Sequence, residues 1–111
     1  MIIAIPVDAE EQVANGWGRA ARVAVATVAD GVITDRQVHD VGWDVAHDEG
    51  TEGSHHARIA RFLIDNAIGT VVAGHMGDGM VRMLGSMRIP VVLGATGDAR
   101  ACVLGSLATS D

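Results

Sequence analysis

The first apolar run, Ile2 to Val7 (IIAIPV), has almost no polar position. That is the pattern of a strand covered on both faces, with Pro6 near its exit where a missing N–H matters least. It predicts a central strand. Residues 8–20 carry charge, glycine and Trp17 without a sustained period, and read as a functional loop. From Arg22 to Ala29 valine alternates with alanine and threonine, and Asp30-Gly31 precedes a second extended run from Val32 to Val38. Together these predict a β-hairpin. The stretch from Asp40 to Gly53 is acidic and glycine-containing, with Trp43 and His47 as its bulky members, and is expected to be a mobile loop.

The period then changes to helical. Ser54 can act as an N-cap, Ile59, Phe62, Leu63 and Ala67 fall at helical spacing, and Gly69 supplies a stop, which predicts a helix over about residues 55 to 68. Thr70 to Ala73 reads as a short buried strand, Gly74 to Gly79 as a turn, and Met80, Val81, Leu84 and Met87 as the buried stripe of a second helix. Ile89 to Leu93 repeats the strand pattern, Gly94 to Gly97 turns, and Asp98 can cap a last helix through Leu107. The order β-β-β-α-β-α-β-α predicts a single α/β domain over residues 1–111, a mixed sheet of about five strands with helices on both faces. Right-handed crossovers make the strands at Thr70 and Ile89 parallel neighbours, with the first strand beside them and the hairpin beyond it.

With 111 residues, 49% of them hydrophobic, the chain can enclose one core. Charge or glycine breaks its apolar runs well short of the ~20 residues a membrane span needs, and IIAIPVD has no basic flank or cleavage site. A soluble cytoplasmic protein is expected. The single cysteine, Cys102, excludes an intramolecular disulfide framework and any all-cysteine cluster from one chain; its periodic apolar position predicts a buried small hydrophobe. Eight basic residues stand against 14 acidic ones, giving a net charge of -6. The basic positions are dispersed and the aromatics are only Trp17, Trp43 and Phe62, so nucleic acid is not an expected partner.

Candidate chemistry resides in the histidines. The predicted topology sets the helix bearing His55 and His56 antiparallel to the strand that precedes His75, bringing the three to the carboxyl edge of the sheet, where open α/β sheets bind ligands. Neutral imidazole is the commonest metal ligand. In the first helical turn the helix dipole would keep His55 and His56 neutral, although adjacent helical residues point about 100° apart, so both can bind one metal only if the turn is distorted or one serves behind the other. His47 could close over the site from its loop, and His39, near the end of the third strand, is the weakest candidate. Gly74, Gly77 and Gly79 could present backbone N–H groups to an anion, although the lysine and hydroxyl of a P-loop are missing. Met76, Met80, Met83 and Met87 follow one helical face and read as adaptable core, with soft thioethers as the alternative. Trp17 and Trp43 read as lids at the rim of the core. Asp8 and Asp78 share the edge, but without a paired nucleophile no acid–base arrangement follows, and Asp78 can instead cap the second helix. An enzyme is not expected.

IIAIPVD, Gly18-Arg19-Ala20, the hairpin, AGHMGDGM and VVLGATGDA, in this order, resemble the motifs of the dinitrogenase iron-molybdenum cofactor biosynthesis family along nearly the whole chain. The resemblance implies a ribonuclease H-like α/β layer without nuclease carboxylates, and a small carrier of nitrogenase cofactor precursors. Gly16 departs from the pattern, standing where many members carry a histidine, and so removes one candidate ligand. The expected function is a non-enzymatic carrier or chaperone for an iron-sulfur or iron-molybdenum-type cluster, or a single transition-metal ion. His75 and His56 are then the direct ligands, His55 the next and His47 an optional fourth, while Arg19, Gly74, Gly77 and Gly79 balance the cargo's negative charge and a donor or acceptor protein is implied. Two alternatives stand beside it: a metal-independent module binding an anion or small molecule, and, last, a metal-dependent hydrolase using Asp8.

Overall fold

The computed structural model describes residues 1–14 and 16–109. Five strands form one mixed sheet in the order β3-β2-β1-β4-β5: β1 (Ile2–Pro6), β2 (Arg22–Ala29), β3 (Val32–Asp40), β4 (Thr70–Val72) and β5 (Val91–Val92). β1 is antiparallel to β2 and parallel to β4, and β4 is parallel to β5. The central place of the first strand and the hairpin beyond it follow the expected arrangement. The hairpin turns on Asp30 (φ 55) and Gly31 (φ 75), the two successive left-handed residues of a tight turn whose twist matches the strands.

Successive side chains of β1 point to opposite faces and so divide the core in two. Ala4 joins Ile59 and Leu63 of α2 (Glu52–Asp65) and Met80 and Leu84 of α3 (Asp78–Ser86). Ile3 and Ile5 face the other way, onto Ala99 and Val103 of α4 (Ala99–Thr109). Helices therefore cover both faces, and among the described residues none is long and apolar enough to cross a membrane. Asp98 caps α4 as expected, its Oδ2 accepting from the Ala101 N–H at 2.9 Å. Cys102 is only partly buried, at the margin of the second core, with Sγ 3.2 Å from the Thr96 carbonyl oxygen, because its helical position falls beside the short β5 edge.

Several boundaries differ from the sequence expectation. The segment expected to be a mobile loop after β3 holds a one-turn helix, α1 (Trp43–Ala46). α2 begins at Glu52 with Thr51 as its cap: the Thr51 hydroxyl accepts from the Ser54 N–H at 3.0 Å, and the Ser54 hydroxyl accepts from the Thr51 N–H at 3.1 Å. Ser54 thus closes a reciprocal capping box from inside the helix. Periodicity misses this turn because Glu52, Gly53 and Ser54 contribute no apolar position. Asp78 is likewise the first helical residue of α3, with Gly77 at the cap, and its carboxylate complements the helix dipole there. β3 runs two residues past Val38, while β4 and β5 are shorter than predicted.

The two helix-to-strand joints repeat one device. At the end of α2, Ala67 adopts φ 53, its N–H donates to the Ile64 carbonyl, and the Ile68 N–H donates to the Leu63 carbonyl at 3.0 Å. At the end of α3, Arg88 adopts φ 60, its N–H donates to the Gly85 carbonyl, and the Ile89 N–H donates to the Leu84 carbonyl at 3.0 Å. Both are Schellman closures, with the isoleucine folded back against the core before the strand begins. The α2 stop therefore lies at Ala67 and not at Gly69. A left-handed non-glycine residue is strained, so Ala67→Gly and Arg88→Gly should each raise stability by about 1 kcal/mol, net of the extra unfolded-state entropy of glycine, as measured by urea unfolding.

Candidate functional site

The loops after β1 and β4 and the amino-terminal ends of α2 and α3 meet at one edge of the sheet, because parallel strands return through antiparallel helices. The loop after β1 is tied down at several points. Asp8 Oδ1 accepts from the N–H groups of Glu10 and Gln12 at 2.9 Å each, and the Ala14 N–H donates to the Pro6 carbonyl at 3.0 Å. Gly16 pairs in parallel with His75, and the Trp17 N–H donates to the His75 carbonyl at 3.1 Å. The chain after β1 thus re-enters beside the end of β4.

Trp17 and Trp43, expected as lids, are fully buried core residues at 0% and 1% exposure. Their rings meet edge to face with centroids 5.1 Å apart, and Trp43 meets Phe62 of α2 in the same way at 5.4 Å. With few other large side chains available, the two indoles fill the space between the loops and α2. Burial of Trp43 winds α1 and brings His47 to the edge: the Trp43 N–H donates to the Ala20 carbonyl, and the His47 N–H to the Trp43 carbonyl, both at 2.9 Å.

A cleft of about 360 Å³ opens there, lined by Gly18, His47, Glu52, His55, His56, Gly77, Asp78, Gly79 and Met80. His47 and His55 stack edge to face with centroids 5.0 Å apart. His56 Nε2 lies 3.7 Å from Glu52 Oε1, one helical turn earlier. Gly79 leaves room for this arrangement, since a Cβ at that position would stand 3.1 Å from His56 Cε1 and press on the ring. Gly77 stands at the cap of α3 and has no side chain to bond its first N–H groups, which start at the cleft.

His55 and His56 belong to the second turn of α2, because the helix begins earlier than expected, and they differ in what they do. His55 is 3% exposed, with Nε2 2.7 Å from the Gly18 carbonyl oxygen and Nδ1 3.1 Å from an Arg58 guanidinium nitrogen. A carbonyl can only accept and a guanidinium can only donate, which fixes the neutral Nε2–H tautomer and engages both ring nitrogens. In this state His55 has no lone pair to offer a metal; it fastens the Gly18 loop to α2.

His75 is exposed and does not line this cleft. It faces two adjoining ones, one of about 230 Å³ shared with Trp17, Arg19 and His47, and one of about 410 Å³ shared with Asp8, Gly16 and Arg19. The expected convergence of His55, His56 and His75 is therefore divided, with His47 between the parts, because the Gly16–Gly18 segment is inserted at the strand ends. Arg19 also belongs to the adjoining clefts, and Gly74 lines none of the three. Among the described residues, no three His, Cys, Asp or Glu side chains are grouped to hold one metal ion. His39 stands apart from the edge clefts, its ring against Phe62 at 5.4 Å. Of the features that sequence reasoning missed, Glu52 stands out; its spacing of four from His56 is the signal that could have found it.

Residues 1–108 match the protein family described as dinitrogenase iron-molybdenum cofactor. No curated protein matches the sequence. Among solved structures, the apo form of the orange protein from Desulfovibrio gigas superposes with TM-score 0.78 at 21% identity, covering 97% of this chain and 88% of that one. A candidate dinitrogenase from Methanocaldococcus jannaschii gives TM-score 0.71 at 12% identity, with 98% and 89% covered. A candidate NifB protein from Thermotoga gives 0.69 at 16%, with 97% and 87% covered. At these identities the likeness establishes the fold.

The engagement of both His55 nitrogens gives a direct test. Long-range proton–nitrogen NMR should find His55 as the Nε2–H tautomer in metal-free protein, and His55→Ala should cost about 1–3 kcal/mol in chemical unfolding, as a buried carbonyl loses its donor.

Proposed function

The chain belongs to the dinitrogenase iron-molybdenum cofactor family, and from that premise we propose that it is a non-enzymatic carrier, binding a metal or metal-sulfur cluster as cargo for metallocofactor assembly or delivery. The observation that carries this reading is the cleft of about 360 Å³ in which His47 and His56 from separate elements face the uncapped start of α3. Imidazole nitrogen suits iron, copper, nickel and zinc. Two such donors, with no third ligand grouped with them among the described residues, make a poor trap for a bare ion, but they suit a cluster that brings its own bridging ligands and must later be surrendered to an acceptor protein.

In this reading His47 and His56 supply the direct bonds, and Glu52 orients His56 as carboxylates commonly orient metal-bound histidine. His55 holds the Gly18 loop against the cargo. The N–H groups at Gly77 and Gly79 meet its negative charge, and His75 and Arg19 act from the adjoining cleft. Gly74 gives the chain room to turn after β4. The single free thiol, Cys102, is compatible with a reducing cytoplasm.

Anaerobic titration of metal-free protein with ferrous iron and sulfide, followed by visible absorption, tests the proposal. Wild-type protein should bind at least about tenfold more tightly than the His47→Ala, His56→Ala double variant, the loss expected for removed direct ligands. Equal binding by the two would overturn it. Gly79→Ala should also weaken binding by displacing the His56 ring, while folding stability holds or rises by up to about 1 kcal/mol.

A further inference from the structure

The three clefts at the carboxyl edge differ in charge. The cleft of about 360 Å³ includes the carboxylates of Glu52 and Asp78. The narrow cleft of about 230 Å³ beside it has no carboxylate in its lining, which includes Arg19, His47, His75 and Trp17 together with Gly18 and Gly77. Every polar side chain there can donate a hydrogen bond, and Arg19 and Trp17 can do nothing else.

Two of these donors lack acceptors. Trp17 Nε1 is buried and has no hydrogen-bond partner among the described residues. A buried orphan donor is costly, and the indole that carries this one lines the cleft. The His75 ring is exposed and makes no hydrogen bond among the described residues. Arg19 and His47 meet instead at one carboxylate on the rim, that of Asp48, which lies 3.9 Å from the guanidinium and 3.4 Å from His47 Nδ1. Asp48 is 73% exposed and Arg19 61%, so this pairing is weak and readily exchanged.

We propose that this narrow cleft is a separate binding site for a small tetrahedral inorganic oxoanion, with Arg19 and His75 as its principal contacts and Asp48 as an internal competitor for the same donors. A tetrahedral oxoanion offers several acceptors in divergent directions, which suits donors arriving from the loop after β1, the end of β4 and α1. A monocarboxylate presents acceptors in one plane and satisfies fewer of them. The site needs no metal and does not rest on the carrier reading. Its only side chain in common with the cargo cleft is His47, which the test therefore leaves intact.

The experiment is an NMR titration of metal-free protein, in chelator and at low ionic strength, with inorganic phosphate, sulfate and molybdate in turn. At least one should produce saturable shifts in the Trp17 indole N–H and the His75 ring. The Arg19→Gln, His75→Ala double variant should bind about tenfold or more weakly, as lost charge-assisted contacts imply. Asp48→Asn should bind several-fold more tightly, and His56→Ala should bind as wild type does. Absence of saturable shifts with all three anions, undiminished binding in the double variant, or weaker binding in Asp48→Asn would each overturn the site. Iron and sulfide uptake that persists while anion binding is absent would leave the carrier reading standing alone, and the converse result would remove that reading and keep this one.

Discussion

Trp17 lies between glycines in a loop, yet its side chain is fully buried, and the geometry of the carboxyl edge depends on that burial. Covering an indole removes a large apolar surface from water, so the loop after β1 is drawn inward and its backbone bonds to His75 at the end of β4. Gly18 then reaches His55, Ala20 reaches Trp43, and Trp43 winds the short helix that ends at His47. One buried ring thereby sets the positions of residues from four elements. The expected lid is the foundation of the site.

The same insertion explains why the histidines do not form one cluster. Parallel strands β1 and β4 would leave an open crevice at their carboxyl ends, but the Gly16–Gly18 segment occupies it and divides the space. On one side His47, His55 and His56 share a cleft with carboxylates; on the other, Arg19 and His75 face a cleft with none. Opposite charge preferences thus stand a few residues apart, joined by His47.

His55 illustrates how burial changes the meaning of a side chain. An exposed imidazole in this position would be a candidate donor to metal; enclosed between a carbonyl and a guanidinium it becomes a tie between the β1 loop and α2. His56, its neighbour, points elsewhere on the helix and is kept open by the missing Cβ of Gly79. Adjacent identical residues therefore perform different tasks, one within the wall of the cleft and one at its surface.

The linear pattern of residues was sufficient for the α/β class, the central first strand, the hairpin at Asp30-Gly31, the parallel pairing and the cap at Asp98, because alternation, helical spacing and turn chemistry are local or follow from the handedness of crossovers. It also brought His55, His56, His75 and Arg19 to the same edge. It did not reveal the first turn of α2, where Glu52-Gly53-Ser54 has no apolar position, nor the one-turn helix at Trp43, which forms because its indole is buried against Trp17 and Phe62. Which histidines face one another was decided only in three dimensions. A side chain's availability depends on the groups that fold against it, and for residue 55 those are Gly18, distant in the chain, and Arg58, whose role becomes visible only once the loop is in place.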